Sequence, residues 1–239
     1  MNSIRIRFTR GDNVKFISHL DLMKLFERTL RRTGLPIAYS QGFNPHPQMV
    51  FGLPLSVGVT SEAEYADFEL VENMEPSEFL ERMNKELPLG IIVKDAVIKT
   101  SKGNIMASVS GAVYLISVFL NESLDLTEIN NRLSSFLEKN EIIIKKEGKG
   151  GIKDVNIRPI IHKLEVYPLN FIPQGYEGFN TVFCMKALLS AGSVSNLKPE
   201  LLLTAFAEQA GFKIGVARIH RKELYVDRDG KMSNPLEVV

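Results

Sequence analysis

An α+β fold of two tandem halves, each with an antiparallel sheet, is predicted by three observations. The expected elements run strand, helix, strand, strand, helix, strand, which is the ferredoxin-like βαββαβ order, and the same order then appears a second time. A polar run, Lys99-Thr100-Ser101-Lys102-Gly103-Asn104, falls between the two series and places the halves at 1–102 and 103–239. Hydrophobic residues make up 44% of the 239 positions and charged residues 24%, enough apolar surface for two cores and too much for disorder.

The first half opens with Ile4, Ile6 and Phe8 alternating with Arg5 and Arg7. A period of two describes a half-buried strand, here with arginine on its outer face. Gly11-Asp12-Asn13 makes a turn into an extended run at 14–17. Ser18 and Asp21 then have the spacing of a capping box, in which a side-chain oxygen satisfies an orphan N–H of the first turn. The helix is expected from His19 to Thr33, because Gly34 accepts a left-handed cap and Pro36 forbids continuation. At about 100° per residue, Leu22, Met23, Phe26, Leu30 and Thr33 share one face, and Lys24, Arg28 and Arg31 share the opposite one with Arg32 at its edge. Glu27 stands four residues before Arg31, a spacing that also suits a surface ion pair.

Residues 36–40 read as a short strand. Ser40-Gln41-Gly42-Phe43-Asn44-Pro45-His46-Pro47 is a stiff loop, since two prolines and a glycine leave little conformational choice. A further strand is expected at 49–59, another at 65–71, a helix opened by Pro76, and a strand at 91–99. In the second half, strands are expected at 109–120, 142–146, 155–167, 181–189 and 214–226. Helices are expected after Asp125 and from Pro199 to Ala210, the second stopped by Gly211.

Net charge is +1, so no global field steers a ligand, and any electrostatic role must come from local segregation. Segregation is present. From Arg5 to Arg32 there are eight Lys/Arg against three Asp/Glu, and from Ser61 to Glu86 nine acids against two bases, a side that would repel nucleic acid. Residues 145–163 and 213–231 are again basic. The single cysteine, Cys184, excludes an internal disulfide and a cysteine-ligated zinc or iron–sulfur site. No pattern supports a metal or other cofactor. The longest apolar run, 112–120, falls short of the roughly 20 residues of a membrane span. Charges interrupt the opening residues as they would not in a signal peptide, so a cytoplasmic location is expected.

Several residues are candidates for chemistry, each with a plain structural alternative. His19, in the first helical turn, suits either a buried or capping role or a general acid–base role. His46 and Phe43, on the proline-stiffened loop, suit base contact, or Phe43 tucks into the core as an anchor. Gly148-Lys149-Gly150-Gly151 with Lys153 reads as a hairpin turn or a phosphate cradle, and it lacks the Walker pattern. Asn156, Arg158 and His162 share a strand face that would suit phosphate as well as solvent.

Taken together, Phe16-Ile17-Ser18-His19-Leu20-Asp21-Leu22, the Arg31–Pro36 piece (Arg-Arg-x-Gly-Leu-Pro), Ser40-x-Gly-Phe-Asn-Pro-His-Pro47, Pro54-Leu55-x-x-Gly58 and Ser61-x-x-Glu64-Tyr65-x-Asp67 resemble the bacterial radical-SAM-linked protein family. Asn156-Ile157-Arg158-Pro159 and the Lys198-Pro199-Glu200 helix start extend the likeness. The resemblance implies a radical SAM protein, encoded separately, as partner, and RNA or ribosome-related substrates. It assigns no catalytic residue. The doubled βαββαβ order and the Ser-His helix opening are also similar to the RAMP proteins of CRISPR systems, which bind and sometimes cut RNA. The glycine-rich C-terminal loop typical of RAMP nucleases is missing here, which weighs against cleavage.

The leading expectation is therefore an accessory RNA-binding module, without activity of its own, that presents a tRNA- or ribosome-related substrate to a radical SAM enzyme. Arg5, Arg7, Arg28, Arg31, Arg32, Lys153 and Arg158 would contact phosphate, and Phe43 and His46 bases. Two other readings stay open: a metal-independent endoribonuclease of RAMP type using His19 or His46, and a pure protein–protein adaptor.

Overall fold

A computed structural model of the chain describes residues 2–148 and 151–239. They form two compact units. The first holds the chain up to Gly111, Gly192–Val194 and Arg221–Val239, and the second holds Ala112–Ala191 and Ser195–His220.

The first unit contains β1 (Asn2–Arg10), α1 (His19–Thr33), β2 (Met49–Phe51), β3 (Thr60–Leu70), α2 (Pro76–Glu86), β4 (Val93–Lys99) and a one-turn α3 (Ile105–Ser108). The strands lie in the order β4-β1-β3-β2. β1 pairs antiparallel with β3 and β4, and β2 with β3, with Ile4 opposite Phe68 and Arg5 opposite Asp67. This is the ferredoxin-like order. Ile4, Ile6 and Phe8 point to one face and meet Leu22, Phe26 and Leu30 of α1 and Phe79 and Met83 of α2. The Phe8, Phe26, Phe51, Phe68 and Phe79 rings contact one another with centroids 5.1–6.2 Å apart. Tilted and edge-on packing of this kind favours the ring quadrupoles.

Both ends of α1 behave as the sequence dictates. Ser18 is extended and its Oγ accepts from Asp21 N at 3.2 Å, while Gly34 takes φ 62. Left-handed φ is free of Cβ strain only at glycine.

The second unit contains β5 (Val109–Leu120), α4 (Leu126–Leu137), β6 (Ile143–Gly148), β7 (Gly151–Asn156), β8 (Ile161–Pro168), β9 (Thr181–Ser190), α5 (Pro199–Ala210) and the start of β10 (Val216–Arg228). The order β10-β5-β9-β8 repeats the ferredoxin-like arrangement, with β6 and β7 as a separate two-stranded sheet. Ile129, Leu133 and Phe136 of α4 and Leu202 and Phe206 of α5 are buried, and Phe136 meets Phe206 at 5.3 Å. From Arg221 onward β10 belongs to the first unit, followed by β11 (Lys231–Ser233).

Five expectations need correction. Residues 14–17 are not extended but follow a 3-10 turn at Asp12–Val14, since Val14 N donates to Gly11 O at 3.1 Å and Ile17 N to Val14 O at 3.3 Å. Residues 36–40 form isolated bridges, Ile37 to Leu70 and Tyr39 to Pro47, rather than a strand. The expected strand at 49–59 stops at Phe51, because the Leu53 and Pro54 carbonyls accept from Arg221 instead of a neighbouring strand. The expected strand at 155–167 is two strands parted by a 3-10 turn at Arg158–Ile160, where Pro159 has no N–H to donate. The strand beginning at Ile143 is therefore half of a hairpin, and β8 takes its place in the sheet. The hairpin's base is closed by Asn156 Oδ1, which accepts from Ile142 N and Arg158 N, each at 3.0 Å. Lys149 and Gly150 of the candidate cradle lie outside the described residues.

Candidate nucleic-acid interface

The outer side of α1 carries four cations, Lys24, Arg28, Arg31 and Arg32. Around the helix, Glu27, Leu20, Arg31, Lys24, Arg28, Asp21 and Arg32 follow one another on the solvent side. Each acid there already has a local partner. Asp21 Oδ2 accepts from Ser18 Oγ at 2.7 Å within the capping box. Glu86 of α2 accepts from Arg32 Nε at 3.0 Å, and its main-chain carbonyl accepts from Arg32 Nη2 at 2.7 Å. Glu27 Oε1 lies 3.7 Å from His46 Nδ1. Among the described residues, no acid lies within ion-pair distance of Lys24, Arg28 or Arg31, and all three side chains are exposed.

Two features flank this strip. On one side is a groove of about 360 Å³, with Ile17, Leu25 and Pro88 as apolar walls and Lys24, Arg28 and Arg32 at its rim. On the other is the 40–47 loop. Ser40 N donates to His46 O at 2.8 Å and His46 N to Ser40 Oγ at 3.0 Å, closing the loop on itself. Asn44 Nδ2 meets His46 Nε2 at 3.2 Å. Phe43 does not reach the core. It stands fully in solvent at 112% relative exposure. Arg28, Arg31, Arg32, Phe43 and His46 are thus gathered around α1.

The other expected phosphate contacts are placed differently. Arg5 is 1% exposed rather than on a solvent face. It bonds Asp67 through Nε at 2.6 Å and Nη2 at 3.0 Å, and its Nη1 donates to the Pro235 and Val238 carbonyls. The C-terminal residues cover the sheet face that the alternating pattern assigned to water. Arg7 is half-buried and paired with Glu223 at 3.0 Å, which also accepts from the Tyr65 hydroxyl at 2.6 Å. Burial, then the bond to Glu223, pushes the Tyr65 hydroxyl pKa well up. In the second unit, Arg158 Nε donates to Leu137 O at 3.0 Å and braces the turn after the hairpin. Lys153 is exposed on β7, opposite Lys146. His162 pairs with Ser190 Oγ at 2.8 Å.

His19 packs edge-on against Phe51, with centroids 5.8 Å apart. Burial and then the Arg10 charge hold its pKa below 6.5, with Glu64 acting the opposite way. Beside it is a buried ionic group that sequence reasoning missed. Arg221 Nη1 meets Glu64 Oε1 at 2.8 Å, and Arg10, wholly buried, donates through Nη2 to Ile17 O at 2.9 Å. Arg10 ends β1 past a register shift, on the parity of Ile4, Ile6 and Phe8, and reaches the Val14 and Ile17 carbonyls just before α1. The Ser61-x-x-Glu64 motif was the available signal. Among the described residues, no three His, Cys, Asp or Glu side chains converge as a metal site. No described helix is long and apolar enough to cross a membrane.

A bacterial family described as "uncharacterized protein conserved in bacteria" (DUF2344) matches residues 3–199. The chain belongs to this family. The family match includes all of α1, the 40–47 loop and Arg158, and leaves Arg221 and the C-terminal segment outside it. No curated protein matches the sequence. Among solved structures, a chain of the crystal structure of a Cbf5–Nop10–Gar1 complex is similar, at 10% identity and TM-score 0.51, over 92% of this chain and 47% of that one. A chain of the structure of an H/ACA RNP bound to a substrate RNA containing 2′-deoxyuridine is similar at 11% identity and TM-score 0.41, over 96% of this chain and 47% of that one. The chain therefore spans about half the length of the solved chains it matches. At 10% identity the likeness to the first of these concerns the fold alone, an α+β architecture.

Proposed function

We propose that this family member is an RNA-binding module that uses the outer side of α1 to hold RNA and present it to a separate radical SAM enzyme. One observation carries the RNA-binding part: Lys24, Arg28 and Arg31 share one exposed side of α1, and among the described residues no acid lies within ion-pair distance of them. An ordinary solvated helix face mixes its charges into pairs. Cations along one helix side, free of nearby acids, suit the repeated negative charge of a phosphate backbone. The groove beside them adds apolar surface for sugar and base. The likeness to a chain from a Cbf5–Nop10–Gar1 complex supports an accessory part in an assembly. The family motifs around Ser18–Asp21 and Ser40–Pro47 support the radical SAM partner.

The test is RNA affinity measured against salt. Three phosphate contacts predict a log–log slope of about −2 on single strands, from roughly −0.7 per contact. Replacing Lys24, Arg28 and Arg31 with glutamine together should flatten it. A flat slope for the unaltered protein removes the proposal. The presentation step predicts that the partner enzyme's turnover of RNA falls when this chain is withheld.

A further inference from the structure

Phe43 is the most exposed large apolar side chain of the first unit, and its position is enforced by the loop that carries it. A phenylalanine on a loose loop would fold back onto the nearest apolar surface and hide its ring. Here the loop cannot easily do so. The Tyr39–Pro47 bridge joins its two arms, Ser40 and His46 bond each other twice, and Pro45 and Pro47 fix the backbone. Gly42 precedes the ring at φ 123, a left-handed conformation that turns the chain outward at that point. His46 anchors the loop beside Glu27 of α1 at 3.7 Å, one helical turn from Arg31. The ring is thus presented in solvent on a loop that His46 holds against α1, the helix whose outer side carries Lys24, Arg28 and Arg31.

Resting on the RNA-binding reading of α1, we infer that Phe43 is a stacking platform for one unpaired base, and that the interface selects single-stranded or looped RNA over duplex. The occupant follows from charge and shape. An exposed ring on a loop held against a cationic helix suits a group with a flat π-face attached to an anionic backbone, which is an extruded nucleotide. In a duplex the bases are stacked on each other and their faces are closed to an inserted ring. The α1 cations would serve both forms equally, since phosphate contacts do not distinguish them. Selectivity therefore lies with Phe43.

The experiment compares a fluorescein-labelled oligouridine strand with a blunt RNA duplex. Phe43→Ala should weaken the single strand by about 5- to 150-fold, the range for loss of one base–aromatic stack, and leave duplex affinity and the salt slope unchanged. The sequence contains no tryptophan, so Phe43→Trp introduces a single fluorophore. It should keep single-strand affinity and lose fluorescence when oligouridine binds. Unchanged single-strand affinity in Phe43→Ala, an equal loss on duplex, or unquenched Phe43→Trp with RNA bound would each overturn the inference while the α1 proposal stands. Absence of RNA binding by the unaltered protein would overturn both.

Discussion

Arg5 and Asp67 face each other across β1 and β3 and join through two parallel N–H···O bonds, Nε to Oδ1 at 2.6 Å and Nη2 to Oδ2 at 3.0 Å. Asp67 Oδ2 also accepts from Ile105 N at 3.1 Å, and Arg5 reaches the carbonyls of Pro235 and Val238. One buried pair thus fastens α3 and the C-terminal segment to the same sheet face. Removing a single partner leaves the other charge buried and alone, which costs about 3–5 kcal/mol. Asp67→Ala should lower the urea midpoint accordingly. Replacing both residues with leucine should recover much of the loss, because an uncompensated charge, and not the absence of the pair, carries most of the penalty. A double variant as unstable as Asp67→Ala would show that the C-terminal contacts dominate.

This pair also marks where the sequence stopped being legible. Local information was sufficient for α1, whose ends follow from Ser18, Asp21 and Gly34, residues within a turn of the boundary. It was sufficient for the helices α1, α2, α4 and α5 and for the strands that flank them closely, since their core stripes are periodic, but not for the pieces at 36–40 and 143–156. It failed for Arg5, because the cover over that face comes from Pro235 and Val238, far along the chain. It failed at Leu53 and Pro54 for the same reason, since their carbonyls bond Arg221. For the candidate site, the cationic face of α1 was readable from helical period alone. That Phe43 would be exposed was not, as an aromatic ring among prolines fits an anchor equally well.

His19 provides a pH-dependent signature. Burial and then Arg10 lower its folded pKa below the ordinary imidazole value of 6.5. The unfolded chain then binds more protons near and below that pH, so stability rises with pH in this window and is lost as pH falls through 6.5 toward the folded value. The His19 ring resonances should titrate with a midpoint below 6.5. His19→Gln should lose less stability than the unaltered protein between neutral pH and that midpoint. Glu64→Gln should lower the His19 midpoint further, because Glu64 favours the imidazolium. An upward shift in that variant would contradict the arrangement of charges described for the start of α1.

Two glycines with positive φ should respond differently to alanine. At Gly192, φ 126, an added Cβ would lie 2.1 Å from the Val109 carbonyl oxygen, a backbone atom that cannot step aside. At Gly42, φ 123, nothing lies within 4 Å. Gly192→Ala combines strain with a clash and should destabilise by well over about 1 kcal/mol, whereas Gly42→Ala suffers strain alone, about 1 kcal/mol. Thermal unfolding of the two variants checks the ranking. Gly42→Ala should in addition weaken single-strand RNA binding, since its strain relaxes by reorienting Phe43.

Arg31 and Arg32 are neighbours in sequence with opposite expected roles. Arg32 is tied to α2 through the Glu86 carboxylate and the Glu86 carbonyl, so its guanidinium is partly neutralised and partly structural. Arg31 is exposed and, among the described residues, has no acidic partner. Arg31→Ala should leave thermal stability unchanged and lower RNA affinity, reducing the magnitude of the salt slope by about 0.7 on single strands. Arg32→Ala should change the slope less and reduce stability by up to about 1 kcal/mol, the scale of an exposed ion pair. The contrast separates a local phosphate contact from general positive charge. If affinity depended only on net charge, both substitutions would act alike, because each removes one cation from the same helix end.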